Sequence, residues 1–144
     1  MNKFLGGVMI LMALVLIVAP VFTDCQSDGK FLTTADGRTV SMKCHWAGVA
    51  EVAAAVPLGL AGIYALRNRR KETTRFAAIV GAASGAMAIL LPTLLIGTCA
   101  NAAMICNVLM RPILLASGTL AIVASIALFV LAREPELPTA QAVA

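Results

Sequence analysis

Four apolar stretches, Phe4–Phe22, Ala47–Leu66, Phe76–Gly97 and Ile113–Ala132, dominate this chain of 144 residues. Each is close to the roughly 20 residues that an α-helix needs to cross a bilayer. Apolar residues make up 60% of the chain and charged residues 12%, with a mean hydropathy of +0.94. A soluble domain carries about 25% charged residues, so this chain could not cover itself with polar surface in water. The composition predicts an all-α membrane protein, a single domain over 1–132 with four transmembrane helices. The loops are 23–45, 67–75 and 98–110. The tail 133–144, with two Pro and two Glu, is expected to be disordered.

The first stretch is longer than the apolar core of a signal peptide. Pro20 also falls where cleavage would occur, so an uncleaved first span is expected. Five basic residues (Arg67, Arg69, Arg70, Lys71, Arg75) crowd the loop between the second and third spans. Such clusters mark cytoplasmic loops. No aromatics interleave with them, which argues against nucleic acid as a partner. With that loop inside, Lys3 and Arg133 join it, and Lys30, Arg38, Lys43 and Arg111 lie outside. Both termini are then cytoplasmic, and loops 23–45 and 98–110 are extracytoplasmic, in a bacterial plasma membrane.

The first outer loop carries a strand signal. Lys30–Thr34 and Arg38–Met42 flank Ala35-Asp36-Gly37, and Asp-Gly is a strong two-residue hairpin turn. That turn predicts a β-hairpin pairing Thr34 with Thr39, Thr33 with Val40 and Phe31 with Met42. Trp46 and Tyr64 stand about 27 Å apart along a helix, near the bilayer thickness, as interfacial aromatics do. Pro57 would kink the second span, and Pro112 suits the first turn of the fourth. Gly81 and Gly85 form a small-xxx-small face that lets helices approach closely. Packing within the chain is the expected use, with self-association through Gly81 and Gly85 as the other.

The chemistry-bearing residues gather outside the spans. Ser41–Trp46 holds the only His and the only Trp. Cys25 and Cys44 lie in one outer loop, Cys99 and Cys106 in the other. On an oxidising side they are expected to form two stapling disulfides. The simplest set is Cys25–Cys44 and Cys99–Cys106, and the cross-loop pairings stay open. Two other readings use the same residues. Paired outward cysteines on four spans look like quinone-linked oxidases of disulfide-forming proteins, but there is no Cys-x-x-Cys. Met42, Cys44, His45, Cys99, Met104 and Cys106 form a soft-ligand set suited to Cu(I). A close-spaced zinc motif is missing, and neither a resident metal nor a cofactor is expected. Met42, His45, Trp46, Asn101 and Met104 make up a candidate functional surface.

Glu51 is the only acidic residue inside a span, about one and a half turns below Trp46. Its small-residue face points into the bundle, and buried carboxylates are paired or protonated. Arg111 is the expected partner. There is no phosphate loop, no Ser-His-Asp set and no carboxylate pair, so an enzyme is disfavoured.

Met42-Lys43-Cys44-His45-Trp46 with Glu51, then Ile96-Gly97-Thr98-Cys99-Ala100-Asn101 with Met104 and Cys106-Asn107, then Pro112, resembles an uncharacterised family of small bacterial four-helix membrane proteins, a domain of unknown function. The resemblance covers residues from about 4 to 132 and implies no activity. It implies a partner, the permease subunits of export transporters. The expected role is a non-enzymatic accessory subunit of a larger membrane complex. Quinone-linked thiol–disulfide oxidoreductase and Cu(I)-binding membrane protein are the alternatives.

Overall fold

The structure, a computed structural model, describes residues 2–27, 29–68 and 70–132. The expected disordered tail 133–144 lies outside the described residues. Four helices are present: α1 (Asn2–Thr23), α2 (Lys43–Arg67), α3 (Lys71–Leu90) and α4 (Arg111–Leu131). Two short strands, β1 (Leu32–Thr33) and β2 (Thr39–Val40), lie between α1 and α2. Each helix, with its flanking turns, is long and apolar enough to cross a membrane. Their outer faces carry Leu, Val, Ile and Phe, a surface suited to lipid. Trp46 and Tyr64, on α2, are 60% and 55% exposed, as a belt of interfacial aromatics requires.

Small residues determine how the helices meet. α1 packs chiefly on α2, and α3 on α4. A Cβ on Gly6 would lie 2.9 Å from the Gly62 carbonyl oxygen, and one on Gly85 would lie 2.9 Å from that of Gly118. Backbones in contact leave no room for side chains, which is how helices associate where lipid competes for apolar surface. Gly81 is covered too, by Met9 of α1 and Ser125 of α4. The Gly81–Gly85 face is therefore used within the chain. Gly85→Ala is expected to destabilise the α3–α4 pair by about 1–3 kcal/mol, read as a fall in thermal midpoint in detergent. An unchanged midpoint would remove the crossing from the account.

Two helices change pitch at the same end of the bundle. Leu91–Leu95 and Cys106–Met110 are π-helical turns, each beside a proline, Pro92 and Pro112. A proline supplies no N–H, and the bonds shift to i→i+5. Gly97, at φ +77°, ends the first of these segments and turns the chain toward Cys99.

The hairpin forms, but one residue out of the expected register. Leu32 pairs with Val40 and Thr33 with Thr39. Thr34 N–H donates to the Arg38 carbonyl at 2.9 Å, and Gly37 N–H to that of Thr34 at 2.9 Å. The loop is thus three residues, Ala35–Gly37. A two-residue turn at Asp36-Gly37 would need positive φ at both positions. Only Gly37 has it, at +75°, so the chain takes a wider turn closed by a left-handed glycine.

Candidate metal centre

All four cysteine sulfurs converge. They lie within 4.8 Å of one another at the end of the bundle where the α1–α2 and α3–α4 connections meet. Cys25 Sγ is 3.4 Å from Cys106 Sγ and 3.6 Å from Cys99 Sγ, and Cys99 Sγ is 3.5 Å from Cys44 Sγ. A disulfide holds its sulfurs about 2.0 Å apart, so these are four free thiols. Neither expected staple, Cys25–Cys44 nor Cys99–Cys106, is present among them.

Each cysteine is placed by a different local device. Cys25 follows the end of α1, where Asp24 closes a turn: Ser27 N–H donates to Asp24 Oδ1 at 2.7 Å, and the Ser27 hydroxyl to the Asp24 carbonyl at 2.7 Å. Cys44 sits in the first turn of α2. Cys106 opens the helical run that continues into α4. Cys99 is held by Asn107, whose amide donates to the carbonyls of Cys99 and Asn101 at 2.6 and 2.8 Å. Thr98 Oγ1 donates to Asn107 Oδ1 at 2.5 Å.

His45 and Asp24 tie the two ends of the α1–α2 connection together beside the cluster. His45 Nδ1 lies 2.9 Å from Asp24 Oδ2. Because Asp24 precedes Cys25 and His45 follows Cys44, this bond fixes two of the four cysteines side by side. Asp24 is a residue the sequence reading missed. An acid at a helix C-terminus opposes the helix dipole, and that signal called for a partner. Asp24→Ala is expected to cost about 1–3 kcal/mol and to weaken whatever the cysteines hold, measured by unfolding and by ligand titration. Equal behaviour of variant and native protein would reduce the bond to a surface detail.

Burial differs among the cysteines. Cys25, Cys44 and Cys106 are fully buried, and Cys99 is half-buried. Burial, together with the neighbouring Cys44 and Cys106, pushes the Cys99 thiol up to about 11. Burial also drives the Cys25 thiol upward, aided by its Cys44, Cys106 and Cys99 neighbours. Cys44 and Cys106 both sit at the starts of helical runs.

Thioethers flank the thiols. Met42 Sδ is 3.9 Å from Cys99 Sγ, and Met104 Sδ is 4.0 Å from Cys25 Sγ. Both line a groove of about 430 Å³ that runs over Cys99, with Leu32, Lys43, Thr98, Ala100 and Asn101. Of the expected surface, Met42, Asn101 and Met104 meet there, while Trp46 faces outward. Asn101 Oδ1 also accepts from Ala103 N–H at 3.0 Å, shaping the loop.

The expected Glu51–Arg111 pair is not formed. Glu51 is fully buried, and neither of its carboxyl oxygens has a hydrogen-bond partner. Arg111 is exposed at the start of α4. Glu51 lies on the same buried face of α2 as Cys44 and Gly48, about 10 Å along the axis below Cys44.

In a tetrahedral site with metal–sulfur bonds near 2.3 Å, the sulfurs stand about 3.8 Å apart. The spacings here fall close to that. The chain matches the family described as Domain of unknown function (DUF4418) over residues 4–131, and so belongs to it. No curated protein and no solved structure matches the chain.

Proposed function

We propose that this member of the DUF4418 family is a multi-pass membrane protein that holds a soft metal cation, Cu(I), among Cys25, Cys44, Cys99 and Cys106. The observation that carries the reading is the convergence of four sulfurs from two loops and two helix starts within 4.8 Å. Thiolates select Cu(I) and Zn(II) over hard cations. One feature favours Cu(I): the thioethers of Met42 and Met104, the softest neutral donors in proteins, stand 3.9 and 4.0 Å from cluster sulfurs.

The basic residues of 67–75 support an orientation with the cluster extracytoplasmic and the termini cytoplasmic. A cation site of this kind serves as an accessory to a larger membrane system that supplies or withdraws the metal. Thiol–disulfide catalysis fits less well, since three of the four sulfurs are fully buried and exchange needs an accessible sulfur.

Anaerobic titration of the reduced protein with Cu(I) against a chromophoric chelator tests the reading. One Cu(I) per chain is expected, lost on Cys44→Ser and on Cys106→Ser. Purification with two disulfides that neither metal nor mild reductant disturbs would overturn it. So would tight binding of Zn(II) with no uptake of Cu(I).

A further inference from the structure

Resting on the Cu(I) reading above, the geometry points to the groove over Cys99 as the port through which Cu(I) passes to and from the buried sulfurs, with Met42 and Met104 as transient ligands. Cys25, Cys44 and Cys106 have no exposed surface, and Cys99 alone of the four reaches the outside. It forms part of the groove wall together with both thioethers. The two thioethers address different sulfurs: Met42 Sδ lies 3.9 Å from Cys99 Sγ, and Met104 Sδ lies 4.0 Å from Cys25 Sγ. A cation handed down from the groove would therefore meet a neutral soft donor before each of two thiols.

The lining also states which form of the metal is accepted. Leu32, Met42, Lys43, Thr98, Cys99, Ala100, Asn101 and Met104 include no carboxylate and one cation, the exposed Lys43. A hydrated hard cation finds no carboxylate there to bind it. An anionic Cu(I)–thiolate complex finds a positive mouth and soft walls. Transfer is ligand exchange. A bond from copper to the carrier's sulfur breaks as one to Met42, Met104 or Cys99 forms, and these give way in turn to the buried sulfurs. Copper stays Cu(I) throughout. The protons of the thiols that become ligands leave to the carrier's released thiolates or to water.

The test is the rate of Cu(I) uptake by the apoprotein from the Cu(I)–glutathione complex, followed by stopped flow. Met42→Leu with Met104→Leu keeps the size and apolarity of the groove. The double variant is expected still to bind one Cu(I) on its four cysteines but to load and release it at least tenfold more slowly. Lys43→Glu, which leaves all six sulfurs in place, is expected to slow uptake from this anionic donor. Unchanged rates in both variants would overturn the port. Loss of equilibrium binding in the double leucine variant would also overturn it, by making the methionines permanent ligands. Failure of the native protein to take up Cu(I) at all would instead refute the site itself, so the two failures are distinguishable.

Discussion

Loaded with Cu(I), the protein is expected to unfold about 10–15 °C above its apo form. A ligand at a thousand times its dissociation constant adds about 4 kcal/mol to the folded state. For a chain of this size each kcal/mol is worth about 3 °C. Chain topology enlarges the effect. The four cysteines belong to the loop after α1, the start of α2, the loop after α3 and the run into α4, so one cation ties together parts that otherwise meet through small residues and two polar clamps. Cys44→Ser or Cys106→Ser is expected to abolish the rise while leaving the apo midpoint little changed. A midpoint insensitive to Cu(I) would contradict the proposal whatever the stoichiometry.

The pH response should change sign with loading. In the apo form, burial raises the Cys25 and Cys99 thiols, Cys99 from 9.0 to about 11. A raised pKa means the folded state keeps protons that the unfolded chain releases. The contribution from Cys99 is therefore full below pH 9.0 and is lost as pH climbs toward about 11. In the loaded form the ligands must be deprotonated, so acid competes with the metal and stability is lost as pH falls. Thermal melts should therefore show the apo form losing stability as pH rises above 9.0 and the loaded form losing it as pH falls into acid. Parallel slopes would show that no thiol proton is displaced on loading.

Glu51→Leu is expected to stabilise the protein by about 1–3 kcal/mol, an unusual sign for a substitution in a buried site. Both carboxyl oxygens are enclosed without a hydrogen-bond partner, and burying an unpaired polar group costs about that much. Leucine fills similar space with no polar atom to satisfy. Arg111→Ala, at an exposed position, is expected to change stability by less than about 0.5 kcal/mol. The double variant should equal the sum of the singles, since no contact couples them. Chemical unfolding in detergent measures all three. A loss of stability in Glu51→Leu would mean that the carboxyl group finds a partner when the protein works, and the cation site about two turns above it would be the first place to look.

Much of the architecture was legible in the chain. Apolar length alone requires membrane-spanning helices, because a backbone in lipid must satisfy its own hydrogen bonds. The Asp36-Gly37 signal correctly announced a hairpin. Its register escaped, because the choice between a two- and a three-residue loop depends on which residues accept positive φ, and only Gly37 does. The Gly81–Gly85 spacing announced a close helix contact, and only the structure shows that α4 and Met9 occupy it.

The site was legible as residues and not as an arrangement. Sequence distance favours pairing Cys25 with Cys44 and Cys99 with Cys106, since short loops close most cheaply. Yet Cys25 Sγ lies 3.4 Å from the Sγ of Cys106, 81 positions away. His45 had no assignable role until α1 and α2 came together and set Asp24 2.9 Å from it. Glu51 was assigned a partner on the general ground that buried acids have one, and the bundle supplies none.

By itself, then, the sequence determined that this chain has four stretches long and apolar enough to span a membrane and keeps its four cysteines, with Met42 and Met104, in or beside the loops 23–45 and 98–110. Hydrophobic length and charge placement are additive along a chain and can be read without contacts. The tertiary structure alone decided that the four cysteines form one cluster rather than two staples. Which sulfurs meet depends on how α1 lies on α2 and α3 on α4, and those crossings are set by glycine contacts far from the cysteines in sequence.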